Sequence, residues 1–319
     1  MSATSRDAGP SGARDTRLVR QPADRPGRLN VGVIGAGRVG SVLGAALVRA
    51  GHRVIAVTAV SAASRARAAR LLPDVDILPA DQVAAKADLV LLAVPDDTLG
   101  RLVSGLAATG ALRAGQLVAH TSGAHGVEVL AAATRIGALP MAIHPVMTFT
   151  GRPEDLDRIV GISYGITAPD ELRPVAESLV VEMGGEPEWI AETDRPLYHA
   201  SLAHGANHLT TLVNEAVELL RQVGVTHPER MIAPLLSAAL DNALRLGDAG
   251  LTGPVVRGDA GTVSQHLDAL EQRAPDAVAA YRALARRTAD RALGSGRLRS
   301  ADAEALLEVL ASPPQGAAR

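Results

Sequence analysis

The sequence predicts an α/β chain: a parallel sheet covered by helices on both faces, followed by an all-helical domain. Three observations point there. Short apolar runs of strand length alternate with Ala- and Arg-rich helical stretches between Leu29 and Ile190. A Gly-x-Gly-x-x-Gly turn joins the first run to the first helix. From Thr193 onward no strand pattern recurs, and apolar residues return at helical spacing.

In order, the near-continuous apolar runs place strands at 29–34, 53–60, 88–94, 116–119, 138–143 and 161–167, with a short one at 188–190. Helical patterns lie between them at 38–50, 62–71, 98–108, 126–133 and 171–183. Residues 193–223 read as one long helix ended by Gly224, and further helices follow at 228–246, 262–273, 276–293 and 301–310. The expected division is a disordered tail over 1–28, a dinucleotide-binding domain over 29–192, a helical substrate and dimerisation domain over 193–311, and a frayed end over 312–319.

Composition narrows the chemistry. In 319 residues, 47% are hydrophobic and 21% charged, which suits globular domains. Thirty-two basic against 34 acidic residues leave a net charge of −2, no basis for nucleic acid or an anionic membrane as partner. One Trp, three Tyr and one Phe offer few platforms for stacked bases. No cysteine is present, so disulfides, thiolate nucleophiles and iron–sulfur clusters are excluded. Lys86 is the sole lysine. No apolar run reaches membrane-helix length, and the first residues lack the apolar core of a signal peptide, so the expected place is the cytoplasm.

The strongest local signal is the turn formed by Gly35, Ala36, Gly37, Arg38, Val39 and Gly40, directly after a strand and before a helix. Gly35 permits the tight turn, Gly37 lets backbone approach a pyrophosphate, and Gly40 lets helix and strand pack closely. The diphosphate then rests on the helix N-terminus. This is the fingerprint of a Rossmann-type domain. The second strand ends in Thr-Ala-Val-Ser without the acid that NAD sites use for the ribose hydroxyl. Ser61, Ser64 and Arg65 can instead hold a 2′-phosphate, so the expected cofactor is NADP(H). The same residues also suit a helix N-cap and a solvated first turn.

Ligands of open α/β sheets lie beyond the carboxyl ends of the strands. Val94 and Pro95 would pass along the cofactor, with Thr121 beside them, while Asp96 and Asp97 read as helix-start residues. His120 and His144 both stand at strand ends, where an imidazole can give the proton that balances hydride transfer to a carbonyl. Either is equally a histidine satisfied by backbone carbonyls. His125 and His52 look like turn surface. Ser122 can orient a substrate oxygen. The long helix carries His199, His204, Asn207 and His208, and Asn207 shares a face with Thr211 and Asn214. That face suits a substrate oxygen or a hydrogen-bonded contact. His204 and His208 have zinc-like spacing without a third ligand pattern, so no metal is expected. Arg257 suits a carboxylate clamp or a pair with Asp259, and Thr262 with Gln265 forms a capping-box pair for the next helix.

These segments resemble a two-domain family with an N-terminal Rossmann-like domain and a C-terminal helical domain of unknown function. The resemblance rests on Gly-Ala-Gly-Arg-Val-Gly, Ala-Val-Pro-Asp, His-Thr-Ser-Gly-Ala, His-Pro-Val-Met-Thr-Phe, Tyr-His-Ala with Asn207, and Leu-Thr-Gly-Pro-Val-Val-Arg-Gly-Asp, over roughly 29–270. The family is similar to ketopantoate reductases, pyrroline-5-carboxylate reductases and β-hydroxyacid dehydrogenases. The resemblance implies an NADPH-dependent reductase of a small carboxylated carbonyl compound, with 2-dehydropantoate the first substrate and the active site in an interdomain cleft. The better-known ketopantoate reductases and β-hydroxyacid dehydrogenases place a lysine on the interdomain helix as proton donor; this helix has none, which leaves His120, His144 or His199 if the chain is a carbonyl reductase. A homodimer is expected from the long apolar helix. The alternatives are a cyclic-imine reductase and a dinucleotide-binding sensor without turnover.

Overall fold

The computed structural model describes residues 27–311, so the expected tails over 1–28 and 312–319 lie wholly or almost wholly outside the described residues. Contacts divide the chain into two units, one ending at Leu202 and one beginning at Ala203.

In the first unit the order is β1 (Asn30–Ile34), α1 (Arg38–Arg49), β2 (Arg53–Thr58), α2 (Ala62–Leu71), β3 (Asp76–Ile77), α3 (Ala80–Lys86), β4 (Leu89–Leu92) and α4 (Asp96–Ala108). It continues through β5 (Leu117–His120), α5 (Ala131–Thr134), β6 (Leu139–Pro145), α6 (Asp155–Arg158), β7 (Ser163–Thr167), α7 (Arg173–Glu182), β8 (Glu186–Trp189) and α8 (Arg195–Leu202). The eight strands form one sheet in the order β3-β2-β1-β4-β5-β6-β7-β8.

Alternate residues of each central strand supply opposite faces. Leu89 and Leu91 of β4 join Leu43 and Leu47 of α1, Leu71 of α2 and Leu179 of α7 in one core cluster. Val90 and Leu92 join Val83 of α3, Leu99 and Val103 of α4 and Ala133 of α5 in the other. This is why the strands read as continuous apolar runs.

The expected all-parallel sheet needs one correction: β6 and β7 run antiparallel, with His144 opposite Gly165, whereas every other neighbouring pair is parallel. A parallel return requires a long crossover, and the connection here contains one helical turn, α6. That connection is held by Asp155, fully buried, whose carboxylate accepts from the Thr150 and Gly151 N–H groups, both at 2.8 Å. The sequence pattern also missed β3, two exposed residues, Asp76 and Ile77, too short for a periodic signal.

The helix expected over 193–223 is not uniform. A 3₁₀ turn (Glu192–Asp194) leads into α8, then a π-helical turn (Ala203–Asn207), then α9 (His208–Gln222). The π turn admits an extra residue per turn, and Gly205 within it favours the irregularity. Apolar periodicity alone cannot register such a step.

The second unit continues with α10 (Pro228–Leu246), α11 (Ala260–Arg273), α12 (Pro275–Gly294) and α13 (Ser300–Ala311). Val263 and Leu267 of α11, Val278 and Ala289 of α12, and Leu306 and Leu310 of α13 form its core. The N-cap of α11 is Asp259, which accepts from Thr262 N–H at 3.0 Å and Thr262 Oγ1–H at 2.7 Å. This corrects the expected Thr262–Gln265 capping box. Among the described residues no helix is long and apolar enough to cross a membrane.

Candidate functional site

The glycine turn has the geometry its spacing demands. Gly35 adopts φ +105, and its N–H donates to Thr58 Oγ1 at 2.7 Å, tying the turn to the end of β2. A Cβ on Gly35 would lie 2.3 Å from the Ala93 carbonyl oxygen. A Cβ on Gly40 would lie 2.1 Å from the Gly35 carbonyl oxygen and 2.9 Å from Ala93 Cβ. At Gly37 the nearest such neighbour is 4.0 Å away, so the backbone faces open space there. A bare backbone before a free helix N-terminus is what a dinucleotide diphosphate requires. Ala36 is buried behind the turn, Val39 packs on the core, and Arg38 opens α1. The loop after β6 reaches this turn: a Cβ on Gly151 would meet Arg38 Cα at 3.2 Å and Arg67 Cδ at 2.6 Å.

Three residues were expected to read a 2′-phosphate, and the structure separates them. Ser61 is the exposed N-cap of α2, accepting from Ser64 N–H at 3.1 Å. Arg65 is exposed and donates to the Val60 carbonyl. Ser64 is buried, and its hydroxyl donates to the Ser61 carbonyl at 2.8 Å, which removes it from the phosphate ligands. The missed candidate is Arg67, whose buried Nε has no partner among the described residues. Pro95 stands at the N-cap of α4, Val94 flanks Gly35, and Thr121 N–H donates to the Leu92 carbonyl at 3.1 Å, keeping all three at the strand ends.

The two strand-end histidines have different environments. His120 is fully buried; Ser122 N–H donates to its Nδ1 at 3.2 Å, and its Nε2–H donates to the Gly126 carbonyl at 2.8 Å. Those partners fix a neutral tautomer with both nitrogens engaged. Burial drives its pKa down to about 4, opposed by the Gly126 carbonyl and reinforced by the Arg195 charge. His120 is therefore a structural histidine and not the proton donor the sequence allowed.

His144 keeps a nitrogen free. Its Nδ1 lies 2.8 Å from Tyr198 Oη, and its Nε2 has no hydrogen-bond partner among the described residues. Burial, then the charges of Arg195 and His199, lower its pKa to about 4. His199 stands edge-on to it, with ring centroids 6.1 Å apart. Gly123, in the loop after β5, fits between them: a Cβ there would meet His199 Cδ2 at 2.7 Å and His144 Nε2 at 3.0 Å. Thus β5, β6 and α8 bring Gly123, His144, Tyr198 and His199 into one cluster. Ser122 borders it, buried, with Oγ accepting from His125 N–H at 3.3 Å and no acceptor for its own hydroxyl proton among the described residues.

Two residues supporting the cluster gave no sequence signal. Arg195 is 1% exposed; its Nε donates to Thr167 Oγ1 at 2.7 Å and its Nη2 to the Gly165 carbonyl at 3.1 Å. An arginine at a helix start, before Pro196, reads as solvated. Glu192 accepts from Val127 N–H at 2.7 Å and Glu128 N–H at 3.2 Å, tying the chain ahead of α8 to the loop after β5. Tyr198 lies in the Tyr-His-Ala segment and, as one of three tyrosines, was the findable one. His52, expected at the surface, is 8% exposed, accepts from Leu29 N–H and lies 2.7 Å from Glu182.

In the second unit Asn207 and Arg257 are both exposed. Arg257 makes no ion pair with Asp259 among the described residues, since that carboxylate caps α11. His204 and His208 face each other through their Nδ1 atoms at 3.1 Å.

A Rossmann-like domain model matches residues 17–145, and the model of a domain of unknown function, DUF2520, matches residues 162–288. No curated protein matches the chain. Among solved structures the fold is similar to that of a Bacteroides fragilis protein assigned as an NADP oxidoreductase, with TM-score 0.70, 21% identity, and 82% of this chain and 98% of that one covered. An imine reductase from Pseudomonas sp. is similar with TM-score 0.60 and 20% identity over 89% of this chain and 100% of that one. A Plasmodium falciparum pyrroline carboxylate reductase with NADP bound is similar with TM-score 0.54 and 12% identity over 83% and 98%. At these identities the likeness is one of fold.

Proposed function

The chain joins a Rossmann-like domain to a DUF2520 domain, and we propose that it is an NADP(H)-dependent reductase of a small carboxylated carbonyl compound, with 2-dehydropantoate as the first substrate to test. The observation that carries this reading is the open glycine turn in the same unit as a strand-end cluster whose one engaged histidine leaves Nε2 free. The turn fits the cofactor. Gly37 stands bare before the start of α1, and the end of β2 offers Ser61, Arg65 and Arg67 with no carboxylate to repel a 2′-phosphate. The Plasmodium falciparum pyrroline carboxylate reductase of similar fold, solved with NADP bound, supports the same choice.

When bound, NADPH supplies a hydride to the carbonyl carbon. His144 Nε2–H donates to the carbonyl oxygen as negative charge grows there, and Ser122 supplies a second donor. A neutral imidazole is suited to this, because it gives a directed hydrogen bond without a charge that would bind the ground state tightly. We also propose a homodimer. Within the second unit α10 buries only Pro228 and exposes Met231, Leu235, Leu240, Leu244 and Leu246, an apolar surface of the kind that marks interfaces.

Cofactor choice has its own test. Arg65→Ala is expected to weaken NADPH binding about tenfold, as loss of one charge-assisted hydrogen bond does, and to leave NADH binding unchanged. Calorimetric titration of both nucleotides reads this; equal losses for the two would remove Arg65 from the phosphate site.

A further inference from the structure

Resting on the reductase reading, we propose that Tyr198 is the source of the proton that His144 delivers, and that Arg195 is the fixed cation that receives the resulting phenolate.

The geometry is built around this contact. Tyr198 Oη lies 2.8 Å from His144 Nδ1, and the rings meet edge to face with centroids 5.6 Å apart. Gly165 is the residue opposite His144 in the antiparallel β6–β7 pair. A Cβ on Gly165 would lie 2.4 Å from Tyr198 Oη, so this glycine makes the room in which the phenol reaches the imidazole. Tyr198 and Arg195 are three residues apart on α8 and share a face. The guanidinium carbon lies 5.6 Å from the phenol ring centroid.

Arg195 is unusual as a buried cation. Its engaged nitrogens donate to neutral oxygens of Thr167, Gly165 and Ala142, its Nη1 has no partner, and no carboxylate pairs with it among the described residues. The Glu192 carboxylate that acts on it from a distance is itself held by Val127 and Glu128 N–H groups. A buried charge without a counter-ion is costly, and a phenolate at Tyr198 supplies that counter-ion during the reaction. The groups acting on His144 are Arg195, His199, His120 and, from the start of α4, Asp96. Burial raises the Tyr198 pKa and the guanidinium opposes the rise.

The proton path balances. Hydride arrives at the carbonyl carbon, and the C–O π pair becomes an oxygen lone pair. That oxygen takes the proton of His144 Nε2. Nδ1 takes the proton of Tyr198 Oη, so the imidazole stays neutral and only its protonated nitrogen changes. The phenolate remains beside Arg195 until water returns a proton. Tyr198 is thus a positioning and relay residue acting through His144, on the helix where no lysine stands.

The test begins with nitrogen-15 histidine labelling of the whole protein, with His144 assigned through His144→Gln. The expected result at neutral pH is a neutral His144 protonated at Nε2, with an Nδ1 signal carrying the shift of a hydrogen-bond acceptor that disappears in Tyr198→Phe. A His144 protonated at Nδ1 would overturn the proposal, because Nε2 would then offer a lone pair to the substrate. In turnover with NADPH and 2-dehydropantoate, Tyr198→Phe is expected to lower kcat about 100-fold while KM and NADPH affinity stay within about twofold. An unchanged kcat overturns the relay. Absorbance titration of the phenols adds a third reading: Arg195→Gln moves the Tyr198 transition to higher pH, and an unmoved transition removes Arg195 from the role. Wild-type protein that turns over no substrate contradicts the reductase reading instead, and the nitrogen-15 spectrum then decides the relay alone.

Discussion

Alanine at Gly40 is expected to abolish measurable NADPH binding and to destabilise the first unit. The added Cβ would lie 2.1 Å from the Gly35 carbonyl oxygen and 2.9 Å from Ala93 Cβ. Neither neighbour is the end of a flexible side chain. Relief requires α1 to move away from β1, and with it the N–H groups that Gly37 leaves facing open space. Overpacking of this kind costs about 1–3 kcal/mol in stability. Displacing the turn by even a fraction of an ångström removes most of the diphosphate contact, so a loss of about 100-fold or more in NADPH affinity is expected. Urea unfolding and calorimetry on the same preparation read the two effects separately. Alanine at Gly105, an exposed glycine inside α4 with nothing within 4 Å of its Cβ, is the control that should leave NADPH affinity unchanged and raise stability by about 0.5–1 kcal/mol, the opposite sign to Gly40→Ala.

Mild acid is expected to weaken the folded protein through His120. Its folded pKa is about 4 against 6.5 for the free side chain, and burial is the main cause. Above pH 6.5 the imidazole is neutral in both states and stability does not respond. As pH falls through 6.5 the unfolded chain binds a proton that the folded chain refuses, so stability declines, and the decline levels off once pH passes about 4. The full loss from His120 is roughly 3 kcal/mol, and His144 adds to it in the same window. The urea midpoint followed from pH 7 to pH 4 checks this. His120→Gln should show a visibly flatter profile than wild type, beyond whatever carboxylates contribute in both. Parallel profiles would mean that His120 is charged in the folded protein and that its two backbone partners are misassigned.

The cofactor turn was legible because each of its glycines answers a local steric demand that appears as fixed spacing: φ +105 at Gly35, open approach at Gly37, close packing at Gly40. The central strands were legible for a related reason, since burial on both faces leaves β4 uniformly apolar and β5 apolar up to His120. The chemistry was harder to read. His120 and His144 occupy equivalent places in sequence, yet the loop after β5 turns back so that the Gly126 carbonyl meets one of them, whereas Tyr198 meets the other. Those partners come from six and from 54 residues away, and only the first lies within reach of local pattern. Arg195 was invisible because its burial depends on the antiparallel turn of β7, which brings the Gly165 carbonyl and Thr167 to the start of α8. The Thr193–Val223 helix kept its apolar period across a π turn, so its break left no trace in the pattern.

We propose that this chain reduces a small carboxylated carbonyl compound with hydride from bound NADPH. The most direct measurement mixes the full-length protein with NADPH and 2-dehydropantoate and follows the decay of the dihydronicotinamide absorbance, with NADH, other 2-oxo acids and pyrroline carboxylates run alongside. Decay is expected with NADPH and an oxo acid, lost in His144→Gln and retained in part by Ser122→Ala. Tight NADPH binding with every substrate silent would contradict the reductase and identify a dinucleotide sensor. Decay with a pyrroline carboxylate alone would move the substrate to cyclic imines.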